Sequence, residues 1–280
     1  MKYTVKHKST LIEFLKIHYA GASNTTLKNF LKSGRVKLNE RLVTNPGIEL
    51  KPGDEVLVQK EGEKKQTKLP FELVYEDDAM LVVVKQPGML TSGEGITKKP
   101  TLHWLVNTWL QQKSRGKQAA FVVHRLDKEV GGLVLFAKSQ QLVDTLQNNW
   151  KKYTKKYLAI SRFAPPETEG TIDTWLKERN LKMFVEMKES PGAVHAITHY
   201  KWLRFEKKNS VFEVTLDTGK KNQIRVHLAH IGCPIIGDEK YGDDSKGMVR
   251  LFSRSIEILH PVSGKKMLWT KDPDPKFFKF

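Results

Sequence analysis

FVVHRLDKEVGGLVLFA, residues 121–137, decides how the chain is read: two apolar runs, FVVH and GLVLFA, flank a polar loop. Short continuous apolar runs bounded by turn residues predict buried strands. A loop joining two such strands holds its side chains on a rigid scaffold. Asp127 stands in that loop. On residue type alone a loop aspartate caps a turn or pairs with a neighbour such as Lys128. The alternative is a carboxylate projecting into a cleft.

Outward from this stretch, MLVVVK (80–85) reads as another buried strand, followed by a loop carrying Pro87 and Gly88. Thr101 is placed to cap a helix with Leu102, Leu105, Val106, Trp109 and Leu110 on one face, and Ser139 to cap one presenting Leu142, Val143, Leu146 and Trp150. KKYLAI (155–160) and VFEVTL (211–216) read as strands. NQIRVHLAHIG (222–232) predicts a short helix with Ile224, Leu228 and Ile231 inward, Asn222 available as its cap, and Gly232 and Pro234 at its end.

The N-terminal stretch has a different texture. Thr10 can cap a helix carrying Leu11, Ile12, Leu15 and His18, and Ser23 or Asn24 a second one with Leu27, Phe30 and Leu31 inward and Gly34 as its stop. The alternating VKLNERLV and the turn-rich NPGIELKPGDEVLV then predict short strands closing on the helix pair. KEGEKKQTK (60–68) has no apolar residue to offset the entropy of ordering and reads as a linker. The expected division is therefore 1–59, a linker over 60–68, and 69–280.

Forty-eight Lys and Arg against 31 Asp and Glu leave a net charge of +17 over 280 residues, which points to a polyanionic partner, although a Lys-rich surface also serves solubility. The single cysteine, Cys233, excludes an internal disulfide and a cysteine zinc site, and reads as a small buried residue suited to a reducing compartment. No signal peptide or membrane-length apolar run is seen, so a soluble, cytoplasmic protein is expected. His124, His227 and His230 lack the spacing of a metal site, and the GKK at Gly219 matches no phosphate-binding loop. Neither metal nor cofactor is expected, and a monomer is.

HRLDKEVGGLVLFAKS (124–139) resembles the signature of the RluA family of pseudouridine synthases, in which the Asp of His-Arg-Leu-Asp is catalytic. The likeness continues, in the family's order, through DDAMLVVVKQPGML (77–90) with Lys85, Pro87 and Gly88, then KKYLAI with Tyr157. GKKNQIRVHLAHIGCPIIGDEKYG (219–242) with Arg225 and LHPVSGKKMLW (259–269) complete it. ASNTTLKNFLKSGRVKLNERLVTNPGIELKPGDEV (22–56) is similar to the RNA-binding module named for ribosomal protein S-four. It departs from that pattern at Asn24, where a basic residue is common, and at Glu40, where glycine is usual.

The resemblance implies an α+β fold in which a mixed, largely antiparallel sheet forms the synthase domain, preceded by a small α/β RNA-binding domain. It implies an isomerase converting uridine to pseudouridine in a structured RNA stem-loop, ribosomal in preference to transfer RNA. Asp127, Tyr157 and Arg225 are the implied catalytic residues. Arg125 and His124 are the candidate RNA contacts in the large domain, and Lys28, Lys32 and Arg35 in the small one. Exchanging a nitrogen–carbon glycosidic bond for a carbon–carbon bond calls for a carboxylate near the anomeric carbon, as nucleophile or base. A desolvated carboxylate needs a fixed cation beside it, and a guanidinium can grip it with two parallel hydrogen bonds. Taken singly, Arg225 also fits a solvent-facing helix charge, Tyr157 a core aromatic and Arg125 a structural ion pair.

Two stretches depart from the family's pattern. Lys128-Glu129-Val130-Gly131-Gly132 replaces Lys-x-Thr-Ser-Gly, with Gly131 expected to tolerate the backbone angles the hydroxyl residues would otherwise shape. Lys220, Lys221 and Asn222 replace the usual lead-in to Gln-Ile-Arg. A catalytically inactive RNA-binding or RNA-chaperone protein on the same fold is the competing reading, and a nucleoside glycosidase a third.

Overall fold

The computed structural model of the protein describes residues 1–32, 34–58, 69–93, 100–242 and 247–279. Two compact units result, Met1–Leu69 and Pro70–Phe280. The segment 60–68, expected as a linker, lies outside the described residues.

The first unit contains β1 (Lys2–Thr4), β2 (Ser9–Thr10), α1 (Leu11–His18), α2 (Asn24–Lys32), β3 (Val36–Leu38), β4 (Arg41–Leu42), β5 (Glu49–Leu50) and β6 (Glu55–Val58). Thr10 opens α1 with a reciprocal capping box: its side chain accepts from Glu13 N–H, and its own N–H donates to the Glu13 carboxylate at 2.8 Å. Ser23 does the same duty for α2, accepting from Thr26 N–H at 3.2 Å. Leu11, Leu15, Leu27 and Leu31 meet Val36, Leu50 and Val56 in one buried core beneath a sheet ordered β1-β6-β3-β4. The β3–β4 turn holds both Asn39 (φ 47°) and Glu40 (φ 67°) in the left-handed region. Glu40 therefore occupies a conformation that glycine adopts without strain, as its departure from the module's pattern suggests.

The second unit contains β7 (Glu72–Glu76), β8 (Met80–Lys85), α3 (Leu102–Lys113), β9 (Phe121–Val122), β10 (Gly131–Ala137), α4 (Gln140–Asn148) and β11 (Thr154–Ser161). It continues with β12 (Glu169–Arg179), β13 (Lys182–Glu186), β14 (Val194–Glu206), β15 (Asn209–Leu216), α5 (Gln223–His230), β16 (Leu251–Leu259) and β17 (Lys266–Thr270). The strands form one sheet ordered β13-β12-β14-β15-β11-β16-β10-β8-β7, with β17 paired to β16 and β9 to β10. Every recorded pairing in it is antiparallel except β10 with β16. The fold is thus the expected α+β class with a mixed, largely antiparallel sheet.

β8 and β10 are buried at every position, and carry no polar side chain but the terminal Lys85 of β8, because both faces are covered. On one face Leu81, Val83, Val134 and Phe136 pack with Leu102, Val106 and Leu110 of α3 and Ile224 and Leu228 of α5. On the other, Met80, Val82, Leu133 and Leu135 pack with Val143 and Leu146 of α4 and with Trp269 of β17. Burying each such side chain stabilises the fold by about 1.5–3 kcal/mol before entropy is counted. One expectation fails in α4. Trp150 does not continue its apolar face, because the helix ends at Asn148, where the Asn149 amide donates back to the Thr145 carbonyl at 3.0 Å. Trp150 instead opens a short 3-10 turn and stacks on His124, centroids 4.6 Å apart.

Candidate active site

The loop between β9 and β10 is tied from below by residues that follow β8. Thr91 donates its hydroxyl to the Leu126 carbonyl at 2.9 Å and accepts the Leu126 N–H at 3.1 Å. Lys85, at the end of β8, is fully buried and donates to the carbonyls of Met89 (2.6 Å) and Lys128 (3.0 Å). Its ammonium is pushed down to about 8 by burial, against the pull of Glu129 and Asp127. Gly88 N–H donates to the same Lys128 carbonyl, and Val130 N–H turns back to Asp127 O. Asp127 is thereby presented on a loop whose backbone is tied on both sides of it, at Leu126 and at Lys128.

The glycines after the loop have different tasks from those expected. Gly132, not Gly131, takes the left-handed conformation, at φ 117°. A Cβ there would lie 2.3 Å from the Ser253 carbonyl oxygen of the parallel neighbour β16. Gly131 is needed for room: a Cβ would meet the Pro87 ring at 3.0 Å.

Arg225 reaches the loop from α5 and is 4 % exposed. Its two-pronged grip, expected on Asp127, falls on Asp238: Nε and Nη2 each lie 2.7 Å from an oxygen of that fully buried carboxylate. A buried carboxylate without such a partner would be prohibitively desolvated, so it takes the planar fork. Nη1 remains for the cleft, 3.2 Å from Asp127 Oδ2 and 3.4 Å from Glu129 Oε2. Burial opposes the guanidinium charge, but Asp238 first and Asp127 second hold it more firmly protonated than usual.

Asp127 Oδ2 also accepts from Asn222 Nδ2 at 2.5 Å. Asn222 does not cap α5; it sits at φ 54° with no side-chain bond to the helix, and its amide faces the loop. The start of α5 is secured instead by Gln223, which donates to Ile197 O and Thr198 Oγ1 and accepts from Lys220 N–H, each at 2.9 Å. Among the described residues no hydrogen bond reaches Asp127 Oδ1.

Tyr157 lies in β11, within the core but lining the cleft beside Asp127. Its hydroxyl is pushed up to about 12 by burial and by the charge of Asp127, so it stays protonated at neutral pH. Arg125 is exposed at the cleft wall. His124 also lines it, but its Nε2 accepts from Leu135 N–H at 3.0 Å, and burial and Lys155 push the ring down to about 3. It is a neutral acceptor in the frame of the sheet. His227 is wholly buried between Thr174 and Thr198 hydroxyls, whereas His230 is exposed. Among the described residues no cluster of His, Cys, Asp or Glu is arranged to hold a metal ion. In the first unit Lys28 is exposed and the Arg35 guanidinium lies 4.0 Å over the Phe30 ring, while the side chain of Lys32 lies outside the described residues.

Nothing in the sequence reading singles out Asp238 or Thr91; Lys85 and Glu129 enter it only as members of a pattern, and Asn222 as a helix cap. Asp238 had a signal: the Gly-Asp-Glu-Lys-Tyr-Gly run closes a stretch that shares the likeness with Arg225.

Thr91, Asp127, Glu129, Tyr157, Asn222 and Arg225 line a cleft of about 1780 Å³, well beyond the roughly 300–1,000 Å³ of a pocket for a small ligand. Its described lining carries eight Lys and Arg against five Asp and Glu, so the wall attracts polyanions while its floor keeps a carboxylate. Fold and cleft together define a catalytic domain for a polyanion, with one Asp127 oxygen anchored and the other given no bond by the described residues.

The chain matches the RNA pseudouridylate synthase family over residues 79–230, and it belongs to that family, whose members are isomerases acting on RNA. It is 30 % identical over 270 residues to the ribosomal large subunit pseudouridine synthase D of Vibrio cholerae serotype O1, covering 88 % of this chain and 82 % of the relative. It is also 30 % identical over 252 residues to YhcT of Bacillus subtilis strain 168, described as an uncharacterized RNA pseudouridine synthase, with 86 % and 82 % covered. In fold it is similar to human RNA pseudouridylate synthase domain containing 4, at a TM-score of 0.62 and 22 % identity over 74 % of this chain and 90 % of that one. No helix among the described residues is long and apolar enough to cross a membrane.

Proposed function

We propose that the protein isomerises specific uridines to pseudouridine in a structured RNA, ribosomal RNA before transfer RNA, with Asp127 as the catalytic carboxylate. The observation that carries this reading is the half-anchored carboxylate: Oδ2 is held by Arg225 and Asn222, while Oδ1 receives no bond from the described residues. An oxygen left open at the cleft can meet the anomeric carbon or take a proton, and the guanidinium supplies an opposite charge beside it in a partly desolvated site.

The reaction breaks the bond from the anomeric carbon to the base nitrogen, lets the uracil turn in place, forms the bond to C5, removes the C5 proton and gives the freed nitrogen a proton in its place. Atoms balance without a cofactor. Tyr157 offers a ring to stack on the base and a protonated hydroxyl for proton transfer. Taking the nucleotide out of its stack costs a few kcal/mol. The exposed Arg125 is the proposed filler of the gap, since a guanidinium can stack on bases and contact phosphate. The preference for ribosomal RNA is supported by the names of relatives such as that of Vibrio cholerae, and by the S-four-like unit, where Lys28, Lys32 and Arg35 are the proposed phosphate contacts. The protein is proposed to act as a cytoplasmic monomer.

The test maps pseudouridine in total RNA by base-specific modification and reverse transcription. A deletion strain is compared with strains rescued by wild type or Asp127→Asn. Missing sites should return with wild type alone; identical maps in all strains would end the enzymatic reading. Free uracil released from RNA would identify a glycosidase instead.

A further inference from the structure

The Asn222 amide has a direction that the surrounding donors dictate. Met183 N–H donates to the Tyr241 hydroxyl oxygen at 3.0 Å, so that hydroxyl is left to give its own proton to Asn222 Oδ1 at 3.1 Å. Lys240 Nζ, which has no lone pair to accept with, also donates to Oδ1, at 3.0 Å. With its oxygen so occupied, Asn222 must turn Nδ2 toward Asp127. Asn222 and Tyr241 are 8 % and 7 % exposed, and hydrogen bonds shielded from water in this way hold their geometry more tightly than exposed ones.

We infer that Asn222 is a positioning residue for Asp127: its amide, aimed by Tyr241 and Lys240, holds Oδ2 in place so that Oδ1 faces the reacting sugar carbon. The inference rests on the reading of Asp127 as the catalytic carboxylate. Arg225 alone cannot do this, because its two-pronged grip is on Asp238 and one contact at 3.2 Å leaves the carboxylate free to rotate. Donors from Asn222 and Arg225 converging on one oxygen remove that rotation. The same relay ties Asp127 to the β12–β13 hairpin, since Met183 lies in β13 and Lys240 also donates to the Leu181 carbonyl at 2.7 Å.

The experiment uses the full-length protein in excess over total RNA from a strain lacking it. The single-turnover rate is followed at the sites wild type modifies, across a range of protein concentration. Asn222→Ala should lower the saturating rate about ten- to hundredfold, the scale of a small misplacement of a reacting group, with little change in the half-saturating concentration. Tyr241→Phe should lower it in the same sense, and should add nothing in an Asn222→Ala background. Asn222→Asp, which keeps an acceptor for Tyr241 and Lys240 but offers Asp127 no donor, should be at least as slow as Asn222→Ala. Circular dichroism and urea midpoints establish that each variant is folded, and Tyr241→Phe carries the test if Asn222→Ala is not. A saturating rate for Asn222→Ala close to wild type, a loss confined to the half-saturating concentration, or simple additivity with Tyr241→Phe would overturn the inference. Activity in Asp127→Asn would instead overturn the underlying reading of Asp127.

Discussion

Arg225 and Asp238 meet beneath the cleft in a buried two-pronged ion pair, both contacts at 2.7 Å, and Asp238 has no exposure at all. The guanidinium that faces the Asp127 loop is therefore braced from behind by a fully buried carboxylate. The remaining nitrogen and the Asn222 amide both meet Asp127 Oδ2, and no described residue donates to Oδ1.

Removing one member of such a pair leaves an uncompensated buried charge. Asp238→Ala should lower stability by about 3–5 kcal/mol and remove activity with it. Urea denaturation of the two proteins checks the first figure; an unchanged midpoint would show that Arg225 finds another partner.

Gly132→Ala should be far more damaging than Gly131→Ala. The first forces a side chain into φ 117° and against a backbone oxygen at 2.3 Å, the second only against the Pro87 ring at 3.0 Å. Backbone conformation and clash contribute about 1–3 kcal/mol each at Gly132. Comparison of thermal midpoints and of soluble yield decides the order.

His227 makes stability sensitive to acid. Burial, with His230 adding to it and Asp173 opposing, pushes its ring down to about 4 from an ordinary value near 6.5. Between those values the unfolded chain binds the proton and the folded one does not, so this contribution is complete above pH ~6.5 and is lost as pH falls toward 4. The loss is on the order of 3 kcal/mol. Urea titrations at a series of pH values should show the gap between wild type and His227→Gln narrowing on acidification; a constant gap would contradict the assignment.

Tyr157→Phe separates stacking from proton transfer. If the hydroxyl moves a proton, turnover should fall roughly 10²–10⁴-fold while RNA affinity measured by filter binding is kept. Wild-type turnover in this variant would leave the ring as the only functional part.

Glu40→Gly should tighten the first unit. Relief of the left-handed strain, roughly 1–2 kcal/mol, is partly offset by the looser unfolded chain. Amide exchange in β3 and β6 should slow about two- to fivefold, the equivalent of roughly 0.5–1 kcal/mol.

Much of this was legible along the chain, for local reasons. Thr10, Thr101 and Ser139 open helices because a hydroxyl two or three residues upstream satisfies orphan amides, and the runs at 80–85 and 132–137 are strands buried on both faces. The loop aspartate, the arginine of α5 and Tyr157 could be named from their motifs. Less legible was the long β12–β14 region, where only alternate positions are buried and the periodic signal is diluted by charged and aromatic residues on the open face.

What the sequence by itself determined was the kind of molecule and its candidate site residues, because capping, periodicity and motif order are properties of neighbouring residues. Which oxygen each guanidinium nitrogen meets was decided only in three dimensions. Asp127 and Arg225 are 98 positions apart, and the contest between Asp127 and Asp238 for one planar fork is settled by which carboxylate the fold has taken out of water.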